Sequence, residues 1–295
     1  KQGDIIELGI TAIHFGNTSL TMRCEVRNKI TRKSILTIDK IVFVNVDENG
    51  NPTPHGKTRI KYIEEDFDTI YLEEVKKLSQ SPEAVLIQKN MSIVFSPIHG
   101  ASGKMVPDAL RAFGFQNIHI VKEQAEPDGN FPTVIFPNPE EAEALALSIK
   151  LAREVKAELV LACDPDGDRY ATAIPNEKGE YELLNGNQTG ALIVYYLLNK
   201  YQEHGRLTGQ EFTVSTIVTT DLIGEISKGF HTKHFSTLTG FKYIAAIILQ
   251  QEGKMKFIAG GEESYGFLVG DFVRDKDAVS ACAIFAEIVA YYKIK

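Results

Sequence analysis

Asp164-Pro165-Asp166-Gly167-Asp168-Arg169 carries three carboxylates at alternate positions, directly after the apolar run Leu159-Val160-Leu161-Ala162-Cys163. That run reads as a buried parallel strand. Alternate positions of an extended chain point to one side, and Pro165 and Gly167 curl the loop so that the oxygens converge. Like charges this close repel one another, so the loop calls for a cation. Hard oxygens around an open site suit Mg²⁺, which keeps part of its water and meets a substrate phosphate. Arg169 adds a planar fork suited to phosphate oxygens. The bland alternative is a solvated acidic turn. The strand end favours the ligand site, because open α/β sheets bind ligands there. An EF-hand does not fit, since the glycine and the distal glutamate fall in the wrong places.

A second polar loop, Gly260-Gly261-Glu262-Glu263-Ser264-Tyr265-Gly266, follows the short strand pattern Phe257 to Ala259. Glu262 and Ser264 lie two apart, so both can face one cleft, while Glu263 faces away and makes structural bonds. The glycines let the backbone approach a ligand closely. Read alone, this segment is equally a polar turn. Thr239 and Gly240 open a helix whose free N–H groups suit a phosphate or a sugar oxygen. A simple N-cap by Thr239 accounts for the same residues. Lys276, in Arg274-Asp275-Lys276-Asp277, is a partner for substrate oxygens, or else it pairs with Asp275 or Asp277 at the surface. His99 and Ser102 share the loop Ser96 to Gly103. His99 reads as a residue bonding that loop's backbone, and Ser102 as one that could bind phosphate.

These loops need a frame of strands and helices, and the chain supplies three textures. Residues 1–58 have a strand period. Leu20, Met22, Cys24 and Val26 alternate with Thr21, Arg23, Glu25 and Arg27, flanked by strands over Ile5 to Ile13 and Ile35 to Val46. Turns are predicted at Gly16-Asn17, Asn28-Lys29 and Glu48 to Pro52. Residues 59–187 begin with an acidic helical stretch from Lys61 to Asn90. Strands at Ser92 to Phe95, Ile118 to Val121 and Leu159 to Cys163 then alternate with helices at Val106 to Phe113 and Pro139 to Val155. Residues 188–295 repeat the alternation. Helices at Gln188 to Tyr201, Asp221 to Lys228, Gly240 to Gln251 and Ala278 to Tyr292 separate strands at Thr213 to Val218, Lys233 to Ser236 and Phe257 to Ala259. The expected class is α/β: two consecutive domains with mostly parallel sheets, preceded by a short antiparallel β segment.

Composition narrows the function classes. Hydrophobic residues make up 43% and charged residues 24% of the chain, which is the make-up of a globular protein. A net charge of −7 without a basic run argues against a nucleic-acid surface. No apolar stretch is long enough for a membrane span. Cys24, Cys163 and Cys282 are widely spaced in apolar settings. They predict buried free thiols in a reducing cytoplasm, not a disulfide framework. No secretory signal opens the sequence.

The two polar loops, in this order, resemble motifs of the α-D-phosphohexomutase superfamily, the phosphoglucomutase/phosphomannomutase group. Asp164 to Arg169 looks like its metal-binding loop and Gly260 to Gly266 like its sugar-binding loop. Leu238-Thr239-Gly240-Phe241-Lys242 is similar to its Thr-Gly loop, and Arg274 to Asp277 to the segment that supplies a substrate-facing lysine. The resemblance covers residues 60–295, as domains II and III. It implies Mg²⁺ on Asp164, Asp166 and Asp168, a hexose phosphate or bisphosphate at Glu262, Ser264, Thr239 and Gly240, and supporting roles for Arg169 and Lys276. The implied reaction is phosphoryl transfer between two hydroxyls of one sugar, by way of a phosphoserine. No Thr-Ala-Ser-His-Asn-Pro or Arg-Ser-Gly-Thr segment is present, so the donor serine and the phosphate clamp are expected to be missing. The expectation is therefore a fragment inactive alone, with a non-catalytic Mg²⁺ and sugar-phosphate module as the alternative. Residues 1–58, through Val42-Phe43-Val44-Asn45-Val46-Asp47-Glu48-Asn49-Gly50-Asn51-Pro52-Thr53-Pro54, resemble the C-terminal half of a hotdog-fold acyl-CoA thioesterase. That fold's central helix should precede residue 1, which leaves an apolar face for self-association. A thioesterase fusion is the remaining alternative.

Overall fold

The computed structural model describes residues 6–15, 19–28, 34–44, 51 and 65–295. The predicted turn at Gly16-Asn17 and the expected boundary between residues 58 and 59 lie outside them. So do Lys29 and, apart from Asn51, the turn over residues 48–52. Two compact units are present, residues 1–63 and 64–295, with the division a little beyond the expected residue 58.

The first unit is an antiparallel meander of β1 (Ile6–Phe15), β2 (Ser19–Asn28) and β3 (Ser34–Val44). Its register sets Ile10 against Cys24 and Cys24 against Ile38, then Ala12 against Met22 and Met22 against Ile41. Apolar positions thus form cross-strand rows, as a period of two requires. Thr21, read above as solvent-facing, is buried like Cys24. It sits where the register shifts on both sides, between Ala12 and His14 and between Met22 and Cys24. Such bulges re-aim side chains.

The second unit opens with α1 (Glu65–Lys77) and α2 (Pro82–Ile87), then β4 (Ile93–Ser96), α3 (Met105–Phe113), β5 (Ile118–Ile120), the short α4 (Lys122–Ala125) and α5 (Ala146–Val155). The strands β6 (Leu159–Cys163), β7 (Tyr170–Pro175) and β8 (Tyr181–Leu184) complete a sheet of order β5-β4-β6-β7-β8. Its β5, β4 and β6 pair in parallel, whereas β6–β7 and β7–β8 pair antiparallel, so the sheet is mixed. Residues 164–169 are all that join β6 to β7, and a loop that short cannot make a parallel crossover. The predicted helix over Pro139 to Val155 begins only at Ala146. Before it, Asn138 Oδ1 accepts from Glu140 N (3.1 Å) and three-residue turns close at Glu141, Ala144 and Ala146. Asn138 thus closes a local turn, and backbone i to i+3 bonds carry the chain on to Ala146.

After Asn185 and Gln188 close a capping box, the second half runs α6 (Gly186–Glu203), β9 (Glu211–Thr216), α7 (Leu222–Gly229), β10 (Lys233–Thr237), α8 (Phe241–Gln251), β11 (Lys256–Gly261), β12 (Phe267–Val269) and α9 (Ala278–Lys293). The sheet order is β10-β9-β11-β12, parallel except for β12. α9 is apolar on nearly every side because it is buried on nearly every side. It packs on α2 and α3 of the first half and on α6 and β12 of the second. One core accordingly contains Phe95, Leu161 and Cys163 together with Phe267, Ile284 and Phe285. Among the described residues, no helix is long and apolar enough to cross a membrane.

The buried carboxylate of Glu287 ties α9 to the first half and to α6. Glu287 accepts from Gln80 N (2.7 Å), from Tyr196 OH (2.8 Å) and from the Ser79 hydroxyl. Burial pushes its carboxyl above the ordinary range, and these bonds only partly offset that. A folded pKa above the unfolded one means stability that is full at low pH and falls as pH rises through the folded value. Urea unfolding should therefore show wild-type stability declining above the ordinary carboxylate range, with a shallower decline in Glu287→Gln. Glu287→Ala strands buried donors and should cost about 3 kcal/mol.

Candidate functional site

Asp164 is the buried end of the acidic loop. Its Oδ1 accepts from Arg169 N (2.9 Å) and Asp168 N (3.1 Å), and its Oδ2 from Arg169 Nε (2.6 Å). These bonds curl the chain back on itself, and Gly167 N bonding to Asp164 O (3.1 Å) completes the turn. Burial pushes the Asp164 carboxyl up to about 6, although the Arg169 backbone and guanidinium pull it down. Asp168 is half-buried and Asp166 exposed. One oxygen from each of the three lies within 4.8 Å of the others. Three hard, anionic donors on an open rim fit a divalent cation of the Mg²⁺ class.

The loop rests on Ser96 to Gly103. Ala101 N bonds to Pro165 O (2.8 Å), and a Cβ on Gly100 would overlap Pro165. His99 is held by the Glu126 carbonyl (Nδ1, 3.2 Å) and Thr133 Oγ1 (Nε2, 2.9 Å). Ser102 is buried against Gly167, and its hydroxyl has no partner. Arg169, read above as a phosphate fork, turns its Nε inward to Asp164 and sets Nη1 3.4 Å from Asn138 Oδ1 and 3.8 Å from Glu140. Glu140 had no signal in the sequence because it falls in the segment read as helix, and Asn138 lies just before that segment.

The second polar loop is brought to the first by backbone pairing. Arg169 and Gly266 form an antiparallel bridge, and Tyr170 N donates to Tyr265 O (3.2 Å). Glu262 is nearly buried, and its Oε1 accepts from Gly240 N (3.0 Å) at the start of α8. Gly240 itself is the N-cap, with φ 116°, so the cap by Thr239 does not form and Thr239 is exposed. Ser264 is half-buried in the turn. Glu263 points elsewhere and accepts from Thr216 Oγ1 (3.2 Å) and Thr219 Oγ1 (3.1 Å).

Lys276 crosses from the segment before α9 to the acidic loop. Its Nζ lies 2.5 Å from Asp168 Oδ2, so the pairing with Asp275 or Asp277 considered above does not occur. Burial opposes the lysine charge, and Asp168 outweighs it and raises the pKa. Asp275 instead accepts from Lys276 N (2.8 Å), and Asp277 caps α9 through Val279 N (3.0 Å) and binds Tyr71 OH (2.8 Å). Asp164, Arg169, Asp168 and Lys276 are thus linked in one chain of contacts, and Glu262 with Gly240 forms a separate pair.

The phosphoglucomutase/phosphomannomutase alpha/beta/alpha domain II matches residues 69–178, and domain III of the same family matches residues 185–295. This chain belongs to that family. Its matched part is 35% identical to a protein named "Probable phosphomannomutase" from Haemophilus influenzae, over 87% of this chain and 48% of the relative. A phosphoglucomutase from Staphylococcus aureus is 32% identical, over 84% of this chain and 45% of the relative. The chain spans about half the length of the curated relatives it matches. Its fold is shared with a phosphoglucomutase/phosphomannomutase family protein of known structure from Burkholderia thailandensis, with a TM-score of 0.59 and 18% identity, over 76% of this chain and 44% of the other. The domain II match ends at residue 178, before β8, and the domain III match begins at residue 185, just after it.

Titration with Mn²⁺ or Mg²⁺ should reveal one site in the wild-type chain. Asp166→Asn should weaken it by about tenfold, or ~1.4 kcal/mol. Equal binding by both proteins removes the triad as a cation site.

Proposed function

We propose that residues 64–295 are the metal- and sugar-binding part of a phosphohexomutase that moves a phosphoryl group between the 1- and 6-positions of a hexose. The observation that carries this reading is the pairing of the two loops, Arg169 with Gly266 and Tyr170 with Tyr265, from two different sheets. That pairing supports reading the acidic loop and the loop of Glu262 as parts of one site. In this reading Asp164, Asp166 and Asp168 hold Mg²⁺, whose chemistry is to neutralise charge on a transferring phosphate. Arg169 braces the loop that holds these carboxylates. Glu262, oriented by Gly240 N, accepts hydrogen bonds from sugar hydroxyls, with Ser264 beside it and Thr239 at the mouth of α8. Lys276 meets ligand oxygens. Positioning and charge neutralisation are the whole contribution of these residues.

The phosphoserine and the phosphate clamp that the family likeness implies have no matching segment in this sequence. The proposal assigns them outside these residues, with the reaction in the cytoplasm and hexose phosphates and bisphosphates as ligands. The same observation favours a second reading, a module that binds Mg²⁺ and sugar phosphate without turnover. For residues 1–58 the meander of β1, β2 and β3 supports the partial hotdog likeness. Its exposed Ile38, Val42 and Val44 support self-association through that segment.

A coupled assay of this chain alone, with glucose 1-phosphate and the bisphosphate activator, should show no turnover above background. Robust turnover that Asp164→Ala abolishes would point to a nucleophile in the chain, with Ser102 first in line. Ligand-observed NMR should detect glucose 1-phosphate binding near the millimolar level that ~4 kcal/mol represents. Glu262→Gln should lose ~1–3 kcal/mol of it. Glu263→Gln should retain binding and lose stability instead. The reverse pattern overturns the assignment of the sugar loop.

A further inference from the structure

The acidic loop is neutralised in two different ways. Arg169 is part of the loop: its backbone N and its Nε both bond to Asp164, so it cannot leave without undoing the turn. Lys276 comes from the segment before α9, and its ammonium pairs with Asp168 Oδ2 at 2.5 Å. Among the described residues no salt bridge involves Asp166. A divalent cation drawn to the triad therefore meets an ammonium already seated on one of its three carboxylates. The two like charges repel across one carboxylate, so each weakens the other's hold on Asp168.

We propose that Lys276 is a cation-operated latch: it holds Asp168 while the triad is without metal, and metal entry releases it towards the ligand side of the cleft. This rests on the reading of the triad as the Mg²⁺ site. The geometry confines the motion to the side chain. The Lys276 backbone is pinned by Asp275, whose Oδ1 accepts its N–H at 2.8 Å. The next residue, Asp277, caps α9 and is gripped by Tyr71 OH. A lysine suits such a device because its charge is a compact point on a flexible four-carbon stem. The direction of release is marked by Gly266. A Cβ there would overlap the Lys276 stem and would lie 3.6 Å from Glu262 Oε2. The stem thus already runs over the sugar loop, and a freed ammonium has the anionic and hydroxyl oxygens of a ligand beside Glu262 within its sweep. Metal and ligand then bind cooperatively, since one displaces the lysine and the other receives it.

The test is acylation of lysines in the whole chain, quantified by peptide mass spectrometry at fixed pH, in chelator and in saturating Mg²⁺. Calorimetry on the same sample reports whether Mg²⁺ binds. Lys276 should react several-fold faster with Mg²⁺ present, while Lys242 and Lys254 do not change. Asp168→Asn should give the fast Lys276 rate without Mg²⁺. Lys276→Met, which leaves the acidic loop intact, should bind Mg²⁺ several-fold more tightly because no ammonium has to be displaced. Mg²⁺ binding with an unchanged Lys276 rate, or unchanged affinity in Lys276→Met, overturns the latch and leaves the metal site standing. No Mg²⁺ binding at all overturns the metal site and the latch with it.

Discussion

Three carboxylates held within a few ångströms at the end of a buried strand set the terms for the rest of this structure. Their mutual repulsion, made worse by the burial of Asp164, must be answered by positive charge and by N–H groups. Arg169 answers from inside the loop, and Lys276 from the other half of the unit. The acidic loop is therefore a joint between halves as well as a site. Asp164 and Asp168 find those partners within the fold, while Asp166 lies exposed to water.

The same logic runs outward from the loop. Lys276 reaches Asp168 only because Asp275 and Asp277 fix the backbone around it, and Asp277 is fixed in turn by the N-terminus of α9 and by Tyr71 on α1. α9 is held by Glu287, which bonds to residues 79 and 80 and to Tyr196. Asp277 and Glu287 are buried polar groups with their partners present, the condition under which such groups hold a structure in one arrangement. Backbone pairing between Arg169 and Gly266 adds a contact between the two loops.

Much of this was legible in the residue pattern, and what escaped has a common cause. The strand Leu159 to Cys163, the helix Ala278 to Lys293 and the meander follow from periodicities that act over a few residues. The antiparallel returns β7, β8 and β12 did not stand out, because short strands beside polar loops carry little periodicity of their own. Where a helix from Pro139 was expected, residues 138–146 close i to i+3 turns and the helix begins at Ala146. Thr239 gave way to Gly240 as the cap because φ 116° is open to glycine.

From residue types and local spacing came the acidic loop, the pair of polar loops, the alternation of strands and helices, and the family they resemble. Those are properties of segments, governed by alternation, turn chemistry and charge at short range. Pairing was settled by the folded chain: Lys276 with Asp168 instead of its neighbours, Arg169 with Asp164 instead of an outward fork, Glu262 with Gly240, and Glu263 with two threonines. Cys163 and Cys282, far apart in sequence, bring their sulfurs to 3.8 Å in the shared core. A charged or polar side chain chooses its partner by distance and burial, and both depend on how α9 and the two sheets pack. No window of sequence contains that information.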